Sequence, residues 1–303
     1  MNNLKPFVKW VGGKSQLLEQ YKNHLPPELK NNEIKKYVEP FLGGGAMYFA
    51  ISQKYEIKNA YLSDLNRDLI LTYLVIQQKP EFLLDILKQF QNEYDTTGQE
   101  KRNCFYLSKR DFFNQQRFEI NYDKISDNWF LRAALFIFLN KTCFNGLFRL
   151  NSKGEFNVPY GKYKTASIFD EKNILGASEI LQNATITHSK YDDSYNIIDK
   201  NTFVYFDPPY RPLNKTSNFT SYTDNDFPEA QQVALAEYFR KLDTEKNAKL
   251  MLSNSDPANI NPNDNFFEKL YDGYNIHKIS ASRSINCKGN KRGKINELLI
   301  TNY

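Results

Sequence analysis

The sequence predicts an α/β fold: a mostly parallel sheet interrupted by an inserted helical domain that carries a β-hairpin. Three observations predict it. Short β-branched or aromatic runs alternate with helical stretches, the order expected of parallel strands joined by crossover helices. Three consecutive glycines separate the first such strand from its helix in "VEPFLGGGA". From Arg67 to about Phe169 the alternation gives way to helical periodicity followed by turn-forming residues. The expected boundaries are residues 1–66 and 170–303 for the sheet domain and 67–169 for the insert.

Each element can be justified in order. "KKYVEPFLGGGAMYFAI" reads as strand, glycine turn and helix, and "NAYLSDLN" as a second strand ending at Asp64. The insert opens with helical spacing in "DLILTYLVIQQKPEFLLDILKQF" and interleaves charged with aromatic residues in "KRNCFYLSKRDFFNQQRF". An apolar helix follows around "AALFIFL". In "CFNGLFRLNSKGEFNVPYGKY", Asn, Gly and Pro punctuate short strand-like pieces. "ATITHSK" is a third strand and "TFVYFD" a fourth. "FPEAQQVALAEYFRKL" has amphipathic helix spacing, with Phe227 and Pro228 near its start. "AKLMLSNSD" is a fifth strand. "YNIHKISASRSI" and "INELLITNY" read as a final pair joined by the basic loop "NCKGNKRGK".

Composition bounds the chemistry. The chain has 303 residues, 41% hydrophobic and 25% charged, which suits a globular core. With 20 Tyr and 23 Phe, some aromatic faces are left to stack on flat ligands. A net charge of +5 permits a polyanionic partner. Three scattered cysteines, Cys104, Cys143 and Cys287, argue against a disulfide framework or a thiolate metal site, and three scattered histidines form no ligand set. No apolar run is long enough to span a bilayer, and the amino terminus lacks a signal-peptide core. The expected setting is the reducing cytoplasm.

Three motifs carry chemistry. The glycines of "VEPFLGGG" allow close backbone approach to a ligand. Asp64, at the end of the next strand, stands where a carboxylate accepts hydrogen bonds from ribose hydroxyls. The bland alternative is a tight turn and a solvated acid. "KWVGGKS" resembles the tail of a phosphate-binding loop, but the first glycine of that motif would fall at Val8, so a nucleotide triphosphatase is disfavoured. What survives is the aromatic face of Trp10 beside a turn containing Lys14. In "FDPPY", Pro208 and Pro209 must stop the fourth strand, leaving Asp207 and Tyr210 at its carboxyl end, where ligands bind in open α/β sheets. An exocyclic base amine is a poor nucleophile because its lone pair is delocalised into the ring. Two acceptors on its N–H bonds localise that pair, and the Asp207 carboxylate and Pro208 carbonyl are suitable acceptors. Tyr210 offers a stacking face.

These residues, with "FVKWVGGK", "EPFLGGGA", "LSDLNRDLI", "FNGLFRLNSKGEFNVPYGKY", "YFDPPY", "LMLSNSD" and "KGNKRGKINELLI" in order, span nearly the whole chain. The chain resembles the DNA adenine-N6 methyltransferases of the D12 class, in the alpha arrangement where the cofactor motif precedes the recognition insert and the catalytic tetrapeptide. It is most similar to the GATC-methylating branch. The resemblance implies a Rossmann-like sheet that binds S-adenosylmethionine, without a metal, and an insert that reads duplex DNA. Trp10, Lys14, Glu39, Phe41, the turn Gly43 to Gly45, Asp64 and Asp207 would line the cofactor pocket. Asp207, Pro208, Pro209 and Tyr210 would be catalytic, acting on an adenine flipped out of the duplex. Arg149 would bond guanine, with Asn145, Leu147, Pro159 and Tyr163 at further recognition positions. Phe144 would fill space near the vacated base. Lys9 and the loop Lys288 to Lys294 would touch phosphates. A separate restriction endonuclease would complete a restriction-modification system, and related enzymes with longer sites beginning in GA share the hairpin motif.

Rival readings are weaker. Cytosine C5 methylation needs an attacking thiolate, and no cysteine follows a proline or sits in the expected cofactor cleft. In cytosine-N4 enzymes the tetrapeptide more often begins with Ser, so Asp207 favours adenine. A non-catalytic DNA-binding protein would leave the glycine turn, Asp64 and "DPPY" together without a purpose.

Overall fold

Alternating side chains on short strands build the centre of the protein. In the computed structural model, which describes residues 4–211, 227–282 and 294–303, the strands are β1 (Lys36–Glu39), β2 (Asn59–Asp64), β3 (Ala184–His188), β4 (Thr202–Phe206), β5 (Lys249–Ser255), β6 (Asn275–Ser282) and β7 (Lys294–Thr301). These seven form one mixed sheet in the order β3-β2-β1-β4-β5-β7-β6. β1 pairs in parallel with β2 and β4, and β4 with β5, while β7 runs antiparallel to both β5 and β6. The last two strands follow one another in the chain, so they pair without the crossover that parallel strands require.

The described helices are α1 (Leu18–Tyr21), α2 (Pro27–Lys30), α3 (Ala46–Ser52), α4 (Arg67–Gln78), α5 (Pro80–Thr96), α6 (Arg102–Gln116), α7 (Asp127–Thr142), α8 (Glu171–Leu181), α9 (Glu229–Lys246) and α10 (Phe266–Leu270). α8 was hidden in the sequence between the insert and the third strand. Its start is set by Asp170, whose side chain accepts from the Asn173 N–H.

The chain divides into two units. One comprises Met1–Gly13, Gly43–Gln53 and Ser63–Ser189; the other comprises Lys14–Leu42, Lys54–Leu62 and Lys190–Tyr303. The first unit contains α4 to α7. α7 is apolar on nearly all sides and buried accordingly. Within it Arg132, 3% exposed, donates to both oxygens of Asp68, from Nη2 to Oδ2 at 2.9 Å, and to the Phe113 carbonyl at 2.8 Å. Tyr122 donates to the same carboxylate at 2.7 Å. Fully paired in this way, the buried charges can be accommodated.

In the second unit the two-residue period separates core from chemistry. Val38, Val204, Phe206, Leu250, Leu252, Leu298 and Ile300 fall on one face and pack with Leu235, Phe239 and Leu242 of α9. Tyr37, Glu39, Tyr205, Ser253 and Glu297 have the opposite parity, by the registers Tyr37↔Phe203, Tyr205↔Met251 and Ser255↔Glu297. The polar residues that matter below therefore share a face because of where they stand in their strands.

Between Cys143 and Tyr160 the predicted hairpin strands are not a continuous ladder. Among the described residues the pairing consists of isolated antiparallel bridges, Cys143↔Tyr160 and Leu150↔Phe156. The basic loop Lys288 to Lys294 lies outside the described residues, except for the backbone of Lys294 at the start of β7, and Cys287 lies outside them too.

Candidate functional site

β4 ends at Phe206, and the next residue, Asp207, projects onto the polar face two positions beyond Tyr205. Lys14 is 2% exposed and places its Nζ 2.8 Å from Asp207 Oδ1. Ser253 of β5 donates its hydroxyl to the same oxygen at 2.9 Å. The Tyr205 hydroxyl and Ser253 Oγ are 2.9 Å apart. Burial pushes the Asp207 carboxyl above its ordinary pKa, and the Lys14 ammonium and the Ser253 hydroxyl oppose that shift. An ionised carboxylate offers about four acceptor positions, more than these two donors use.

Tyr210 is held at its far end. Its hydroxyl donates to Glu297 Oε2 of β7 at 2.6 Å, and the Tyr21 hydroxyl of α1 reaches the same oxygen at 3.4 Å. Lys14 Nζ stands 4.6 Å from the Tyr210 ring centroid, over its face. Burial raises the pKa of Glu297, against the attraction of Lys14 and the Tyr210 hydrogen bond. Burial and the neighbouring carboxylates push the Tyr210 phenol far up, so it remains a neutral donor.

The prolines between these two residues are fixed from behind. Gln232 of α9 donates to the Pro209 carbonyl at 3.0 Å, and Asn254 of β5 donates to Gln232 Oε1 at 3.1 Å. Both amides are essentially inaccessible. On the other side, Arg211 donates to Glu229 and to Asp264, each at 2.7 Å. The segment from Asp207 to Arg211 is thus tethered at four of its five residues. Glu39 is buried and accepts from the Tyr37 hydroxyl at 2.8 Å. Phe41 stacks on Tyr191 and meets Phe227 edge-on.

The first unit holds the other predicted residues. Asp64 Oδ2 accepts the Gly43 N–H and Oδ1 the Asn66 N–H, each at 2.9 Å. Burial raises the Asp64 pKa, and these backbone donors moderate the rise. Gly43 and Gly45 have φ of 48° and 69°, in the left-handed region. A Cβ at Gly43 would lie 2.7 Å from Trp10 Cδ1, so the indole covers the turn as closely as glycine permits. Trp10 also stacks on Phe148 at 6.0 Å.

The segment after α7 turns sharply through Asn145 and Gly146, both with positive φ. Lys9 packs its stem where a Gly146 side chain would be, and its ammonium lies 5.3 Å from the Tyr163 ring. Asn140 clamps this region: it accepts from the Lys9 N–H and donates to the carbonyls of Lys9 and Gly146. Phe144 is 49% exposed, and its N–H bonds the Pro159 carbonyl at 2.8 Å. The Leu147 carbonyl accepts from the Cys143 thiol. Arg149 donates from Nε to Asn157 Oδ1 at 2.8 Å. Burial and the cations Lys9 and Lys5 bring Lys141, at the end of α7, down to about 8.

Residue-by-residue reading of the sequence missed Ser253, Tyr21, Glu297, Gln232 and Asn254. Glu297 had a signal, as an acid directly before the apolar run "LLI" of the last strand, and so had Gln232, a polar residue on the buried stripe of α9. Tyr21 had none, since only packing brings α1 to the strand ends. Among the described residues no group of three or more His, Cys, Asp or Glu could hold a metal ion, and no helix is long and apolar enough to cross a membrane.

Comparison with known proteins adds an independent line. Residues 10–285 match the family model described as D12 class N6 adenine-specific DNA methyltransferase. The chain is 50% identical over 301 residues to the type II methyltransferase M.MjaIII of Methanocaldococcus jannaschii, covering 99% of each chain. It is 39% identical over 303 residues to the type II methyltransferase M1.LlaDCHI of Lactococcus lactis subsp. cremoris, covering 99% of this chain and 96% of the relative. It is 34% identical over 305 residues to the DNA adenine methylase of Escherichia coli K12, covering 99% and 95%.

Proposed function

The chain belongs to the D12 class of N6-adenine-specific DNA methyltransferases, and from that premise we propose that it transfers the methyl group of S-adenosylmethionine to the N6 amine of an adenine flipped out of duplex DNA, within GATC (alternatively, a related site beginning GA). The observation that carries this reading is the Asp207 cluster: a carboxylate at a strand end, next to a proline carbonyl on a tethered backbone, beside a neutral aromatic face.

The residues fit the cofactor. Gly43 and Gly45 are in conformations that favour glycine, and the Trp10 ring lies against Gly43 where any side chain would collide. Asp64, bonded to two backbone N–H groups, keeps acceptor capacity for ribose hydroxyls. Trp10, Lys14, Glu39, Phe41, Gly43, Gly45, Asp64 and Asp207 would hold it. When bound, S-adenosylmethionine supplies an electrophilic sulfonium methyl.

The chain's own residues do the rest. The target amine is paired in the duplex, so the base must leave the stack to reach Asp207. Tyr210 stacks on it. Asp207 and the Pro208 carbonyl accept its two N–H bonds and localise the nitrogen lone pair. Lys14 keeps the carboxylate ionised against the burial that favours its neutral form. Residues 67–169 form the recognition domain in the alpha arrangement: Arg149 bonds a guanine, Asn145, Leu147, Pro159 and Tyr163 complete the readout, Phe144 fills the vacated position and Lys9 touches phosphate. The enzyme acts on cytoplasmic DNA, either as a solitary methylase or beside a restriction endonuclease encoded separately.

The test is incorporation of labelled methyl groups into duplexes that contain GATC, contain GA in other contexts, or lack both. Labelling confined to GATC adenines is expected. Labelling of other GA sites would replace the site assignment, and absence of labelled adenine in every duplex would overturn the function.

A further inference from the structure

We propose that Glu297 is a positioning residue for methyl transfer: its carboxylate, bonded to the Tyr210 phenol, fixes that ring and enriches its face in electron density, so that the face stabilises positive charge developing on the stacked adenine. The proposal deepens the reading of Tyr210 as a stacking plate and rests on it.

Four observations lead to it. First, the bond is 2.6 Å, within the range of hydrogen bonds from a hydroxyl to a carboxylate. Such a bond draws the proton towards the carboxylate and leaves more charge on the phenol ring. Second, Glu297 stands on β7, opposite Ser255 in register, so it is a brace mounted on a strand and not on a loop. Third, its position is costly. Leu299, the next residue of the same parity on β7, is fully buried, and burial disfavours the charged form of the Glu297 carboxyl. Tyr21 supplies a second donor, which is the provision a retained charge needs. Fourth, one face of the Tyr210 ring already receives a cation: Lys14 Nζ lies over it at 4.6 Å.

The reaction makes use of such a face. Alkylating a neutral amine leaves the base positively charged until a proton leaves N6 for solvent. A ring stacked on the base feels that charge in the transition state more than in the ground state, and only such differential interactions raise the rate. A brace that merely oriented the ring would act on capture of the base; one that also enriches it acts on the transfer step.

The experiment separates these. Single-turnover methyl transfer at saturating cofactor is measured alongside fluorescence of 2-aminopurine at the target position, which reports extrusion. In Glu297→Gln the amide oxygen still accepts the phenol, so the extrusion signal should persist, while the transfer constant falls about tenfold. Tyr210→Phe should fall by a similar factor. The double variant should be no slower than either single, because both remove the same interaction. A Glu297→Gln enzyme that transfers at the wild-type rate, or that loses extrusion with an unchanged melting temperature, would overturn the proposal. So would a double variant slowed by the product of the singles. Tyr210→Ala distinguishes the two levels: loss of extrusion there with full rates in the Gln and Phe variants sinks the Glu297 proposal alone, whereas retained extrusion and rate in Tyr210→Ala sinks the stacking reading beneath it.

Discussion

The Asp207 cluster and the segment from Cys143 to Tyr163 both present polar groups, yet they are built in different ways. Asp207, Ser253, Tyr205 and Glu297 stand on or directly after strands and bond one another at 2.6–2.9 Å or through Lys14 and Tyr210. The other segment has isolated bridges, two consecutive left-handed residues and a half-exposed Phe144. Its principal cation, Arg149, makes one side-chain hydrogen bond, to Asn157. Chemistry that depends on tenths of an ångström is placed on a preorganised frame. The segment from Cys143 to Tyr163 is held instead by ring contacts, with Phe148 between Trp10 and Phe156.

Substitutions can break or sharpen that contrast. The largest effect is expected from Asp207→Ala, which should lower methyl transfer by at least about 10²–10³-fold, the scale of removing one preorganised transition-state partner. A circular-dichroism melt should show the fold intact, and substantial retained activity would refute the acceptor mechanism. Next, Tyr210→Ala should weaken capture of the flipped base by about 1–3 kcal/mol, the range of one base–aromatic stack. Titration of a 2-aminopurine duplex reads this directly, and a wild-type extrusion signal would count against the role.

Arg149→Ala should act on selectivity and not on the frame. About 1–3 kcal/mol of discrimination at one guanine should disappear, while stability stays within about 0.5 kcal/mol of wild type. Competition among duplexes varied at each position of the site, with urea unfolding in parallel, measures both. Unchanged selectivity would remove Arg149 from the readout.

The smallest effect concerns pH. Burial raises the pKa of Glu297 above its ordinary value, so the folded protein binds that proton more tightly than the unfolded chain does. The associated stability is complete below the ordinary carboxylate range and is lost as pH rises through the folded value. Urea unfolding from pH 4 upward should therefore show a steeper loss of stability in wild type than in Glu297→Gln. Identical slopes would show that this carboxyl does not titrate differently in the two states.

Much of this was legible in one dimension. The strand beginning at Thr202 ended where two prolines forbid further ladder donors, and Asp207 followed at once. The glycine turn and the acid of β2 were legible as a pair, and they are joined by the Gly43–Asp64 hydrogen bond. Less was legible where partners are distant in sequence. Lys14 reads as part of an amino-terminal turn, and nothing near it announces Asp207, 193 positions later, as its ion-pair partner. Gln232 and Asn254 belong to a helix and a strand that meet only when the sheet is covered, so their hold on the Pro209 carbonyl has no local signature. In the predicted hairpin the turn residues were legible, and the pairing they allow is two antiparallel bridges with backbone bonds such as Asn157 N–H to the Arg149 carbonyl.

What the sequence determined by itself was the local vocabulary: where strands stop, where only glycine can turn, and which side chains offer acceptors and a stacking face. Those follow from sterics and bond chemistry that act over a few residues. Only the tertiary structure decided which of those groups would become partners, because burial, pairing register and the company of Lys14 and Glu297 arise when segments remote in sequence are packed together and water is removed from between them.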